Sequence, residues 1–163
     1  MDTKKGLDHG VWMPLLHLWP DNQSVPVLSL SLPATATAAR VRAIGKALGS
    51  LRASNVLLIG SGGAVHNLAK LKVSSQNTLP DAWAARFIST LKGHLIRGEY
   101  AAIEATLQSP DIAQAHPTLE HYLPLFFSLG AHQPEDRFQL LCEGFQHGNL
   151  SMLTFALQFS QTR

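Results

Sequence analysis

The chain has 163 residues, 45% of them hydrophobic and 15% charged, enough for one domain with a real core and too few for two. That balance excludes disorder, and a net charge of +2 with no basic run excludes a nucleic-acid interface. No stretch approaches the ~20 apolar residues of a membrane span, and the first ten residues lack the apolar core of a signal peptide.

Residues 11–20 (VWMPLLHLWP) are apolar and aromatic, broken by Pro14 and stopped by Pro20. Residues 21–24 read as a turn. Val25 to Leu32 (VPVLSLSL) alternates large apolar with small or polar side chains, the pattern of a strand. From Ala34 to Arg52 the apolar positions Ala39, Ile44, Ala47, Leu48 and Leu51 recur at helical spacing. Asn55 to Ile59 is a short apolar run, a strand expected to be covered on both faces.

A polar loop over 69–79 leads into a helix opened by Pro80-Asp81 and running to about Arg97, with Trp83, Phe87, Ile88, Leu91 and Leu95 on one side. Glu99 to Gln108 reads as a shorter helix, and 109–117 as loop. Thr118 to Leu129 reads as a helix capped by Thr118, with Pro124 inside it and Gly130 beyond its end. Phe138 to Phe145 and Leu150 to Phe159 are expected as two closing strands around a turn at 146–149. The order gives an α/β class with a mixed sheet flanked by helices. Cys142, the single cysteine, lies in the apolar run FQLLCEGF and is expected as a buried, inert thiol. One cysteine also excludes an internal disulfide framework and points to a reducing cytoplasm.

Chemistry concentrates where the second strand ends, in VLLIGSGGAVHNL. Ligands of open α/β sheets bind at the carboxyl ends of strands, and glycines there let the backbone turn and approach closely. His66 follows the glycines, on a side chain that exchanges protons near neutral pH. Other glycine motifs fail on spacing. There is no lysine for a P-loop, Ile59 stands where a hydrolase elbow needs its first glycine, and Val65 stands where a dinucleotide fingerprint needs its third. Glu120-His121 is a second candidate. Neighbours on a helix diverge by about 100°, so only one of the two faces a common centre. Asp8-His9-Gly10 reads either as an oriented acid–base histidine or as a turn. His116 lies in the loop before Glu120 and is open to either reading. His17 and His94 are expected packed or on the surface, and His132 and His147 in solvated turns.

Taken in order, Lys5-Gly6-Leu7-Asp8-His9-Gly10-Val11-Trp12, VPVLSLSL, GSGGAVHNL, AHPTLEHYLPLFFSLGA and GNLSMLTFAL resemble the class III extradiol ring-cleavage dioxygenases, in the branch of the DOPA 4,5-dioxygenase type. The resemblance runs from about residue 4 to residue 158.

That resemblance implies the family's α/β core and a non-haem iron(II) site, with zinc in some members, that opens catechol-type aromatics beside the diol using O₂. Carried over motif by motif, His121 is a metal ligand. His66 is the acid–base histidine, sometimes counted among the ligands, and His9 lines the substrate pocket. Gly62, Gly63, His116 and Glu120 are expected along that pocket. Family members also carry a GHGSP-like turn and a SAHW-like strand end, each with a metal-binding histidine, and neither motif occurs in these 163 residues. Residues 1–163 are therefore expected as a partial catalytic domain, truncated at the N-terminus. Such a domain would be active with a complementing N-terminal chain, or would persist as a non-catalytic relative that dimerises or binds small molecules through the old pocket.

Overall fold

In the computed structural model, which describes residues 6–20, 25–73 and 79–159, the first helix starts at a side-chain cap. The Asp8 carboxylate accepts from the Val11 amide at 3.2 Å, and α1 runs His9–Leu18, through Pro14 rather than breaking at it. None of its residues is buried. The turn expected over 21–24, and residues 74–78 of the polar loop, lie outside the described residues.

Thr37 caps α2, Ala38–Leu48, which tightens into a 3₁₀ turn over Gly49–Ser54. Gly45, a poor helix former, sits mid-helix because α2 crosses the later helix Leu123–Gly130 in near-backbone contact. A Cβ at Gly45 would fall on the Phe127 carbonyl, and one at Gly130 on the Arg42 carbonyl. After a 3₁₀ turn at Leu68–Lys70 comes α3, Ala82–Arg97, which buries Ala84, Phe87, Ile88, Leu91 and Leu95 along one stripe. It ends at Gly98, whose φ of 67° lets its amide reach the His94 and Leu95 carbonyls. Two short helices follow, α4 (Tyr100–Ala105) and α5 (Ile112–Ala115), the second inside the expected loop.

The expected helix from Thr118 begins later, as α6, Leu123–Gly130. Pro124 sets its start, since proline fits the first turn, where its missing N–H has no helical partner. Thr118 does not cap; its hydroxyl donates to Glu120 at 2.6 Å.

The closing strands form as expected, each in two pieces. β1 (Asp136–Cys142) pairs antiparallel with β4 (Thr154–Phe159), and β2 (Phe145–Gln146) pairs with β3 (Leu150–Ser151). A bulge between Leu140 and Cys142 resets the in–out alternation. Cys142, expected buried, is consequently exposed. Conversely, His132 is half-buried edge-on to Tyr100, and His147 is half-buried with a positive φ of 53°.

Arg52 fastens this hairpin to the helices. Its guanidinium holds both carboxylate oxygens of Asp136, whose side chain is buried (2.6 and 2.7 Å), donates to the Ala131 and Leu157 carbonyls, and lies 4.4 Å from the centre of the Phe159 ring.

The expected strands over 25–32 and 55–59 are absent. A strand requires a partner ladder, and none is present for these segments among the described residues. Most of their apolar side chains stand in solvent, Leu28 at 74% and Leu57 at 63% exposure, while Leu32 and Leu58 are half-buried. The second was expected covered on both faces, and its Val56, Leu57 and Ile59 are exposed.

Candidate active site

The glycine turn is folded onto the start of α6. The Gly63 amide donates to the His121 carbonyl at 2.9 Å. A Cβ on Gly62 would fall on that same carbonyl oxygen, and one on Gly60 on the Pro124 carbonyl. Close approach is thus the reason for these two glycines, but what they approach is the chain's own backbone. Gly63 is different, since a Cβ there would meet nothing nearer than 3.4 Å.

Val65 is fully buried and anchors the next residues in the core. The His66 amide donates to the Ala115 carbonyl at 2.8 Å, and the Asn67 side chain donates to the Gln114 carbonyl at 2.7 Å. From the opposite segment, the His116 ring donates through Nε2 to the Ala64 carbonyl at 3.0 Å. Four hydrogen bonds therefore knit 63–67 to 114–121.

This stitching brings the His66 and His121 rings together, stacked with centroids 3.5 Å apart and planes 20° from parallel. It also answers which of the neighbours Glu120 and His121 faces His66. Glu120 is exposed, its carboxylate held by the Thr118 hydroxyl, which keeps it more acidic than usual.

Burial lowers the His66 pKa, the adjacent His121 lowers it further, and Glu120 opposes both. A neutral imidazole is favoured there. His116 is 3% exposed and stacked on Tyr122 with ring centroids 4.6 Å apart. Burial pushes its pKa down to about 4. With Nε2 donating and Nδ1 buried without a partner, it is a neutral structural residue behind the pair. Tyr122 in turn donates to the Thr106 hydroxyl, which donates to the Ile103 carbonyl.

His9 is exposed in the first turn of α1, its ring edge-on to Trp12 at 5.2 Å. Its helix abuts the glycine turn, since a Cβ on Gly10 would lie 3.7 Å from Ser61 Oγ. A cavity of about 410 Å³ opens beside the turn, lined by residues 57–64 of that segment and 153–157 of the hairpin, with His121 at its wall.

The imidazole pair does not by itself fit a metal ion. The lone pairs of an imidazole lie in its ring plane, so two near-parallel stacked rings do not converge on one point. No group of three or more potential ligands comes together among the described residues, and Zn(II) or Fe(II) sites use at least three protein ligands.

Sequence reading missed the supports rather than the centre. Asn67 and Tyr122 lie inside the motifs GSGGAVHNL and EHYLP, which give them no role of their own, and Thr106 lies in no motif.

Comparison with known proteins places this geometry in context. Residues 1–151 match the family described as the catalytic LigB subunit of aromatic ring-opening dioxygenase. The chain is 34% identical over 151 residues to a 4,5-DOPA dioxygenase extradiol of Beta vulgaris, covering 92% of this chain and 55% of that protein. It is 34% identical over 152 residues to a protein of the same name from Escherichia coli strain K12, covering 91% and 55%. A crystal structure of an uncharacterised Escherichia coli K12 protein superposes with a TM-score of 0.85 at 32% identity, over 95% of this chain and 64% of that one. The chain spans about half the length of the relatives whose sequences it matches.

Proposed function

The chain belongs to the LigB family of aromatic ring-opening dioxygenases, and we propose that it carries the acid–base half of a site that opens catechol-type aromatics, such as DOPA or protocatechuate, next to the diol with O₂. The observation that carries this reading is the stacked His66–His121 pair, set at the end of the glycine turn and beside a cavity. Residues 1–163 are read as part of one catalytic domain, in the cytoplasm. No described helix is long and apolar enough to cross a membrane.

Catechol has two hydroxyl protons, and ring opening requires them to leave before bonds to oxygen form. A neutral imidazole is the group that takes such a proton near pH 7. His66 fits that role, because burial and His121 both disfavour its charged form. Its backbone amide is already committed to Ala115, so the ring is held in place while remaining the working group. The ring carbon–carbon bond beside the diol and the O–O bond break as the two carbon–oxygen bonds form, and the same imidazole, once protonated, returns its proton to oxygen during O–O cleavage. Both oxygen atoms enter the product, so no external reductant is required. His121 packs against the His66 ring, and Gly62, Gly63 and His9 sit beside the substrate in this reading.

Iron(II), with zinc as the alternative, is the metal proposed for the complete site. His121 is its candidate ligand in this chain; His66, expected as a second ligand, stacks against it with lone pairs that do not converge with those of His121 and is kept as the acid–base group, and the other ligands are proposed to come from the part of the family fold that the chain does not span. The test is oxygen uptake and formation of a yellow ring-opened product. It uses this chain joined to the remaining part of a relative, with added iron(II) and DOPA or protocatechuate. Uptake that falls at least tenfold on His66→Ala is expected. No uptake from the joined protein, or full activity without His66, overturns the reading.

A further inference from the structure

A second cavity opens between α3 and α4. It holds about 210 Å³ and shares no lining residue with the cavity at the glycine turn. One wall is α3, which presents Phe87, Thr90 and His94 at the spacing of a single helix face. On the facing wall stand Ala102 and Ala105, whose side chains are too short to close the gap. Buried Thr106 and Phe87 form its floor, and the Thr106 hydroxyl is bonded to that of Tyr122 at 2.6 Å. Ser109 and Asp111 complete the lining.

The chemistry of this lining selects a ligand. His94 Nδ1 lies 2.7 Å from the Glu99 carboxylate. Arg97 clamps that carboxylate through two bonds of 2.8 Å and holds its pKa down to about 2, so Glu99 stays ionised and only accepts. Nδ1 therefore carries a proton, and Nε2 is the ring nitrogen left for a ligand. The fixed charges nearby balance in pairs, Arg86 with Asp111 at 3.0 Å and Arg97 with Glu99 at 2.8 Å. A charged ligand would lose its water there without gaining an unmatched partner. The Phe87 ring and the two alanine methyls offer apolar contact instead, with the Thr90 and Ser109 hydroxyls at hand. A flat apolar body that carries a hydroxyl fits this mixture.

We infer that the cleft is a second binding site, for a small neutral hydroxylated aromatic. Its ring lies against Phe87, Ala102 and Ala105, and its hydroxyl donates to His94 Nε2. A ligand in this place touches Thr106, one hydrogen bond away from Tyr122, the chain neighbour of His121. The inference does not rest on the catalytic reading, since it uses no residue given a part in ring opening.

Phenol titrated into the 163-residue chain, with alanine and threonine methyl signals followed by NMR, tests it. The signals of Thr90, Ala102, Ala105 and Thr106 are expected to move along one saturating curve. Its dissociation constant should be on the order of 1 mM, within reach of a ligand of this size. Benzene should bind about fivefold more weakly, for want of one hydrogen bond. Ala105→Leu, at an exposed helix position, should fill the cleft and weaken phenol about tenfold or more. His94→Phe keeps a ring and removes the nitrogen, so phenol should fall to the affinity of benzene while benzene is unchanged. Shifts that rise without saturating, or that appear only around the glycine turn, would overturn the site. So would undiminished phenol binding by the Ala105→Leu chain. Equal affinity for phenol and benzene, or saturable binding of acetate or methylammonium in place of phenol, would overturn the ligand class.

Discussion

The imidazole rings of His66 and His121 stack 3.5 Å apart, 20° from parallel, on segments far separated in the chain. His121 is a perturbing charge for His66. His66, which burial already makes harder to protonate, is made harder still by His121 and easier by Glu120. Histidine proton signals followed by NMR across pH 4–8 should therefore show His66 titrating below the ordinary histidine value. His121→Phe should raise its midpoint by removing a like charge, and Glu120→Gln should lower it by removing an opposite one. A His66 midpoint indifferent to both changes would mean that the rings do not meet in solution.

The same pair depends on two glycines whose reasons differ. A Cβ on Gly62 would fall on the His121 carbonyl oxygen, whereas one on Gly63 meets only ordinary contacts from 3.4 Å. Gly62→Ala should cost about 1–3 kcal/mol, as overpacking does when backbone must shift. Gly63→Ala should stay within about 1 kcal/mol. Chemical denaturation of the two variants reads the difference, and equal costs would show that the turn does not press on residue 121.

Much of this was legible from sequence where a local pattern also decides the tertiary answer. The α3 stripe Phe87, Ile88, Leu91, Leu95 reads as helix and is buried as read. GSGGAVHNL and EHYLP bring the two histidines into one site, which spacing alone does not establish, because their meeting depends on the hydrogen bonds from Gly63 to 121 and from His116 to 64. The segments 25–32 and 55–59 read as strands and are not paired, since a ladder needs a partner that a segment's own composition cannot supply. Cys142 reads as buried because its run is apolar, but a bulge between Leu140 and Cys142 turns it outward, which composition does not reveal.

Arg52 tests the link between the helices and the hairpin. Its guanidinium is bidentate on Asp136, whose side chain is fully buried. Burial works against the Asp136 carboxylate, but Arg52 and the Gln133 amide outweigh it and hold its pKa below the usual value. Arg52→Met removes one partner and strands a buried charge, which costs about 3–5 kcal/mol. Arg52→Met combined with Asp136→Leu should recover most of that loss, because no charge is then left behind. A double variant as unstable as the single one, in thermal or urea unfolding, would place the cost in the lost carbonyl contacts instead.

His116 sets a pH dependence on the fold itself. Burial holds its pKa at about 4 in the folded chain, against about 6.5 when unfolded. Between those values the unfolded chain binds a proton that the folded chain does not, so unfolding free energy rises with pH in that window. The contribution is fully present above pH 6.5. It is lost as pH falls toward 4 and then stops changing, a total on the order of 3 kcal/mol for a shift of this size. His116→Gln keeps a donor for the Ala64 carbonyl and removes the titration. Urea unfolding of the two chains between pH 4 and 7 should give a steep slope for the parent and a flatter one for the variant. Parallel slopes would mean that His116 takes up its proton as readily in the fold as outside it, and would overturn its burial as the source of the pH dependence.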